Sequence, residues 1–243
     1  MPSLLLKLIT AHLAGDYLAQ PSRIANEKHR PPVLLLHTAL HAVLLALVGF
    51  TEPASLRLWS ALGLVVVAHG AIDAWTSRLA PRDLKLLGFD QALHLASILV
   101  AVAVARPAEA AALAFGVSAI GSRRETWIVV AGALASGPAG ATAIGRWLNP
   151  IRDSLSHESG VQRTGLERAG VWIGLIERLV VYAAVLGRVE TLIGFVIAVK
   201  AVLRLPEARE RWSRELAEYY LVGSLASLAW ALLTAFAVRG LLR

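Results

Sequence analysis

The sequence predicts an all-α fold, a polytopic integral membrane bundle of about eight transmembrane helices, and three observations predict it. Of the 243 residues, 56% are apolar and 17% charged, and the mean hydropathy is +0.61, a balance too apolar for a water-soluble domain of this length. The apolar residues are gathered into stretches close to the roughly 20 residues that a helix needs to cross about 30 Å of hydrocarbon. Pro, Gly and Arg collect between those stretches, where loops and helix ends are expected.

Taken in order, the spans fall near residues 2–20, 32–50, 56–79, 86–105, 125–147, 169–187, 188–205 and 217–238. The segment 108–121 is apolar but short, which reads as an interfacial or re-entrant helix. Placing the N-terminus outside puts fourteen Lys and Arg on cytoplasmic loops against seven on the outer loops and C-terminus, the distribution that the positive-inside rule favours. Lys7, His12 and Asp16 interrupt the first apolar stretch, and no small-residue cleavage pattern follows it. The first helix is therefore expected to remain in the mature protein. The first four helices share a polar pattern that the later ones lack, so two units are expected, 1–107 and 108–243.

Composition also removes function classes. The net charge of +7 is dispersed over loops and helix ends and lacks interleaved aromatics, which argues against a nucleic-acid partner. With no cysteine, disulfides and thiolate metal sites are excluded.

Ionisable groups inside a span are costly unless paired, hydrated or bound to a metal, and here they recur with one spacing. The pairs are His12 and Asp16, His37 and His41, His69 and Asp73, and Asp90 and His94, each i, i+4 in one of the first four helices. That spacing sets both side chains on one helix face about a turn apart. Each pair lies toward the helix end that adjoins loop 23–30 or loop 78–85, so all eight donors can share one layer, on the cytoplasmic side in this orientation. They use five of the seven His. Two readings are open: a packing network hydrogen-bonded between helices, or a metal centre. Imidazole with carboxylate suits Zn, Mn or Fe, as two ions or as one ion with Asp side chains orienting the imidazoles.

The motifs AHLAGDYLAQ from Ala11, LLLHTALHA from Leu34, HGAID from His69 and FDQALHL from Phe89 resemble a family of bacterial inner-membrane proteins catalogued as domain of unknown function 3307. In the second half, GLIERLVVY from Gly174, IGFVIAVKAVLR from Ile193 and EYYLVGSLAS from Glu218 look like the later helices of that family. The resemblance implies a fold and a location in the inner membrane, not a reaction. The stretch VKAVLRL from Val199 departs from the family's pattern after its Lys and its Arg.

The later helices add Glu177 and Arg178 in mid-span, Lys200 and Arg204 at i, i+4, and Glu218 at the start of the last span. They read either as ion pairs, Glu177 with Lys200 or Arg178 with Glu218, or as a substrate-binding clamp in which Arg178, Lys200 and Arg204 hold a phosphate or carboxylate. The segment GPAGATAIG from Gly137 is expected to kink the fifth span or to permit close helix approach.

Together these features point to a membrane-embedded, metal-dependent hydrolase acting on a lipid-linked or membrane-bound substrate near the cytoplasmic leaflet. Asp16, Asp73 and Asp90 would divide between holding metal and catalysing as general base. A divalent cation or proton transporter, and a membrane sensor or scaffold with a structural metal, are the alternatives that the same donors allow. Membrane lipid is the expected partner.

Overall fold

The computed structural model describes residues 3–80, 83–114, 124–159, 166–211 and 214–243. Among the described residues every regular element is helical. Five helical stretches among the described residues are long and apolar enough to cross a membrane: Pro31–Phe50, Leu56–Thr76, Leu84–Ala105, Arg124–Arg152 and Ala217–Leu241. Their outward faces carry large apolar side chains, among them Leu35, Leu47, Phe50, Val67 and Leu233. Such surfaces are stable in lipid, not in water. By internal contacts the chain divides into two compact units, Met1–Leu134 and Ala135–Arg243.

In the first unit, α1 (Leu4–Leu13) runs into a π-helical turn, Ala14–Leu18, and a short α2 (Ser22–Glu27) follows. The long helices α3 (Pro31–Phe50), α4 (Leu56–Thr76) and α5 (Leu84–Ala105) come next, then α6 (Pro107–Ala114) and α7 (Arg124–Leu134). Local chemistry sets the boundaries. Pro31 opens α3 at a position where its missing N–H is not needed. The Ser55 hydroxyl accepts from Leu58 N at 3.1 Å, and the Asp83 carboxylate accepts from Leu86 N at 2.8 Å, capping α4 and α5. The first turn of α1 is capped from α6, where Glu109 accepts from Leu4 N and Leu5 N, each at 3.2 Å. Of the short apolar segment 108–121, α6 covers the first part, and residues 115–121 lie outside the described residues.

α4 packs against both α3 and α5, and α1 against α3, α5 and α7. The apolar core of this unit is built from Leu4, Leu8 and Ala11 of α1, Leu45 and Val48 of α3, Leu58, Leu62 and Val65 of α4, and Ile98 and Val102 of α5. Leu4, Leu8, Leu58 and Leu62 are early in their helices and Leu45, Val48, Ile98 and Val102 late in theirs, so these residues share one end of the antiparallel bundle. Beyond that core a buried ion cluster ties the helix ends. Lys7 Nζ lies 2.5 Å from Glu52 Oε1 and 2.8 Å from Thr51 Oγ1, and Arg106 Nη2 lies 2.5 Å from Glu52 Oε2. The opposite end of the same four helices is left to the His and Asp residues.

The second unit holds a π-helical turn, Ala135–Ala139, then α8 (Gly140–Ser159), α9 (Leu166–Leu186), α10 (Thr191–Arg211) and α11 (Arg214–Leu241). α9 and α11 pack together, and their buried residues include Val181, Val185, Ala231 and Ala235. The GPAGATAIG segment forms the π turn with Pro138 inside it, and a proline in that position leaves backbone carbonyls without their usual N–H donors. Gly140 lets a neighbour close in: a Cβ there would stand 2.6 Å from Trp230 Nε1, the nitrogen that donates to Ala135 O at 3.0 Å. In the turn between α9 and α10, Arg188 takes a left-handed backbone with φ 57°. Arg239 Nη1 donates to the exposed Glu190 at 2.7 Å, and this hydrogen bond holds the Glu190 carboxyl below its ordinary pKa.

Candidate metal centre

All eight side chains of the four i, i+4 pairs come together in the first unit. His12 is in the last turn of α1 and Asp16 stands in the π turn that follows it, His37 and His41 are in the first half of α3, His69 and Asp73 late in α4, and Asp90 and His94 in the first half of α5. His37, His41, His69 and His94 are almost wholly buried, as is Asp73. Among the described residues three sets of donors lie close enough to hold an ion: His12, Asp16, His41 and His69; Asp16, His37, His69 and Asp73; and Asp16, Asp90 and His94. In each set the donor atoms are within 4.8 Å of one another. Asp16 belongs to all three.

Close approach of α1 to α3 is what brings Asp16 inward, and Gly15 permits it. A Cβ on Gly15 would overlap the His41 ring. The π turn is the other half of the device, since an extra residue in a helical turn re-aims the side chains around it and such bulges favour functional positions.

The donors converge through nitrogen. His37 Nε2 lies 3.2 Å from Asp16 Oδ1, 3.1 Å from Asp73 Oδ2 and 3.1 Å from His69 Nε2. His41 Nε2 is 3.1 Å from Asp16 Oδ1, and His69 Nε2 is 3.3 Å from Asp73 Oδ2. A neutral imidazole has a single N–H, so one proton on His37 Nε2 cannot serve an imidazole nitrogen and two carboxylates at once. His94 Nε2 is buried without a hydrogen-bond partner among the described residues, with Asp73 Oδ1 at 3.6 Å and Asp90 Oδ2 at 3.7 Å. Among the described residues His37 Nδ1 also lacks a partner, so there that ring is held from the Nε2 side. The rings of His41 and His69 stack with centroids 3.6 Å apart.

These separations match ligands of a common ion. Donors held about 2.0–2.2 Å from one metal stand about 2.8–3.6 Å apart in tetrahedral or octahedral arrangements. Charge agrees as well. With the imidazoles neutral, three carboxylates face one ammonium among the described residues, that of Lys28, which leaves two negative charges for a divalent cation to balance. The buried His and Asp groups can therefore hold a metal ion.

Sequence reasoning missed three residues that shape this layer. Lys28, just after α2, reaches Asp73 Oδ2 at 2.9 Å and Asp16 Oδ1 at 3.8 Å. Gln91 donates to Asp16 Oδ2 at 3.3 Å and to Asp90 Oδ2 at 3.1 Å, while its carbonyl oxygen pairs with His12 Nε2 at 3.1 Å. Thr76 donates to Asp90 Oδ1 at 2.6 Å. Gln91 and Thr76 each stand three residues from a member of the pattern, His94 and Asp73 respectively, and that helical spacing was the available signal. Lys28 gave none beyond its charge.

The residues expected to clamp an anion lie in the second unit. Arg178 is buried; its Nε donates to Ser136 O at 3.0 Å, its Nη2 to Gly137 O at 3.1 Å and its Nη1 to Ser227 Oγ at 3.1 Å. It thus serves the carbonyls of the π turn around Pro138. Lys200 Nζ lies 2.6 Å from Glu177 Oε2, the ion pair that the sequence offered as one reading. Glu218 opens the candidate span of α11. The side chain of Arg204 lies outside the described residues.

Residues 4–119 match the family described as "Protein of unknown function (DUF3307)". Over that region, just under half of the chain, the sequence is similar to this family. The match contains all eight donors as well as Lys28, Thr76 and Gln91, and it ends before the second unit begins. No curated protein and no solved structure matches the chain. That similarity names no reaction, and the chemistry has to be read from the His and Asp layer.

Proposed function

We propose that this DUF3307 protein is a multi-pass protein of the bacterial inner membrane that holds one or two Zn, Mn or Fe ions and hydrolyses a lipid-linked or membrane-bound substrate near the cytoplasmic leaflet. The observation that carries the reading is the surplus of acceptors over protons at His37 Nε2, which faces two carboxylates and a second imidazole nitrogen at 3.1–3.2 Å. A cation accounts for that convergence where hydrogen bonds cannot. When bound, such an ion supplies Lewis acidity and lowers the pKa of a coordinated water toward neutrality.

The chain's own residues then divide the work. Asp16 and Asp73 are enclosed by imidazoles and act as ligands. Asp90 is the most open of the three carboxylates, its side chain 15% exposed against 5% and 3% for the other two. Thr76 and Gln91 fix its orientation, and it is the general base of this proposal. Lys28 sits where an ammonium steadies an anionic group entering the layer. The eight-crossing reading adds α1 with its π turn, α9 and α10 to the five candidate spans. It is supported for α1 by that helix's place beside three candidate spans in one donor layer, and for α10 by the apolar stretch Thr191–Val202. The excess of basic residues on loops at the layer's end supports the cytoplasmic placement.

The test is metal content of detergent-purified protein by inductively coupled plasma mass spectrometry, wild type beside the His37→Ala, His41→Ala double variant, followed by turnover of a membrane-soluble ester or phosphodiester. One or two equivalents that vanish in the variant, with turnover lost in Asp90→Asn, support the proposal. Protein that holds no metal after reconstitution with each of the three ions overturns it.

One observation favours a second reading, a transit site for a divalent cation. Lys28 already contacts Asp73 and approaches Asp16, so its ammonium is placed to replace a departing ion. Cation flux into proteoliposomes without a chemical product distinguishes this reading from the hydrolase.

A further inference from the structure

The second unit contains a cavity of about 430 Å³ between α9, α10 and α11, within the size range of small-molecule sites. Its inner wall includes Val181, Leu228 and Ala231, and its polar end is made by Arg178, Ser227 and the Glu177–Lys200 pair. Ile197, Leu221 and Leu225 also line it, yet they are 47%, 60% and 57% exposed. They stand on the apolar stretches Thr191–Val202 and Ala217–Leu241. The mouth therefore opens sideways toward hydrocarbon instead of toward water.

The polar end is not neutral. Among the described residues the hydrogen-bond acceptors of Arg178 are uncharged, namely the carbonyls of Ser136 and Gly137 and the Ser227 hydroxyl. The adjacent Glu177 is engaged by Lys200 at 2.6 Å. Among the described residues, then, two cations meet one carboxylate at the head of an apolar chamber. A guanidinium has five N–H groups; three donate to the π turn and Ser227, and two remain. A buried cation without a counter-ion is costly in a membrane interior, and an anion entering the cavity would supply one.

We infer that this cavity binds an anionic head on an aliphatic chain: a long-chain carboxylate, or the head and one chain of an anionic phospholipid. The head takes the remaining N–H groups of Arg178 and the Lys200 ammonium, and the chain leaves along Ile197, Leu221 and Leu225 into the bilayer. The site is independent of any metal in the first unit and should persist in chelator-treated protein.

The experiment measures retention of four probes by the full chain in dodecyl maltoside, using native mass spectrometry: palmitate, phosphatidylglycerol, phosphatidylcholine and inorganic phosphate. Palmitate, phosphatidylglycerol or both are expected to bind about tenfold or more tightly than phosphatidylcholine, and inorganic phosphate, lacking a chain, to be washed away. Which of the two anionic probes binds tells a free fatty acid from a phospholipid. Arg178→Gln is expected to abolish the preference for negative charge. Because that variant also disturbs the π turn, Ala201→Phe is the second one; Ala201 lines the cavity at an exposed position, where a larger side chain blocks the mouth without entering the core. Unchanged binding in Ala201→Phe, equal retention of phosphatidylcholine and phosphatidylglycerol, or phosphate binding as tight as that of palmitate would each overturn the inference.

Discussion

Asp16→Asn removes one charge from the His and Asp layer and almost nothing else, which makes it the sharpest probe of the metal centre. The substitution keeps shape, and its amide oxygen still accepts from His37 and His41, while its amide nitrogen gives up only the 3.3 Å hydrogen bond that Asp16 Oδ2 accepts from Gln91. What it loses is an anionic oxygen 3.1–3.2 Å from two imidazole nitrogens, in the one carboxylate shared by all three donor sets. Changing groups that only orient ligands costs about 10–100-fold in metal affinity, so loss of a charged ligand common to every set should cost at least about 100-fold, roughly 2.7 kcal/mol. Asp90 belongs to one set, and its oxygens already accept from Thr76 and Gln91. Asp90→Asn should therefore weaken binding only about tenfold. The assay is competition between the purified protein and a fluorescent chelator for Zn, Mn and Fe in turn, with thermal unfolding of the metal-free variants as the folding control. Equal losses in the two variants, or wild-type affinity in Asp16→Asn with a normal melting curve, would refute the geometry argued for the layer.

Gly15→Ala leaves every donor in place but drives a methyl into the His41 ring; chelator competition should show affinity reduced by about tenfold or more, whereas Gly63→Ala, in open space on α4, should leave it unchanged. Binding should also weaken on acidification, because protons compete for imidazole nitrogens that must be neutral to ligate, and metal titrations at pH 7.5 and pH 5.5 should show proton release and a lower affinity at the more acidic value. Glu52→Gln strands the buried Lys7 ammonium and should destabilise the first unit by about 3 kcal/mol or more, measured by unfolding in mixed micelles. Arg106→Gln, on the side chain of the same cluster that is 33% exposed, should cost about 1 kcal/mol or less.

The first four helices were legible because helical periodicity turns i, i+4 spacing into a shared face, and because alternating helix direction places late, early, late and early pairs at one depth. Nothing beyond α-helical geometry and the loop positions was needed for His37, His41, His69, Asp73, Asp90 and His94. The π turns were not legible. A sequence pattern assumes one helical period, and neither Ala14–Leu18 nor Ala135–Ala139 announces a change of period, although Pro138 marks the second as irregular. Arg178 shows the consequence. From sequence it reads as an anion clamp or a partner of Glu218, and nothing there announces that its Nε and Nη2 donate to carbonyls of a turn more than forty positions earlier in the chain and its Nη1 to Ser227 Oγ.

Lys28 illustrates a different limit, and it bears on how the layer works. A lysine in a loop counts, by composition, as one more positive charge facing the cytoplasm. In the structure its ammonium enters the donor layer and lies 2.9 Å from Asp73 Oδ2, so the loop between α2 and α3 completes the site that the helices begin. That position gives Lys28 two roles which substitution can separate. If it only offsets the charge of Asp16 and Asp73, Lys28→Met should raise the affinity for a divalent cation, since a competing positive charge has been removed, and leave turnover intact at saturating metal. If it also steadies an anionic substrate, the same variant should bind metal more tightly and still lose turnover. A weaker metal affinity in Lys28→Met would contradict both, and would mean that the ammonium holds the carboxylates in the geometry the ion requires.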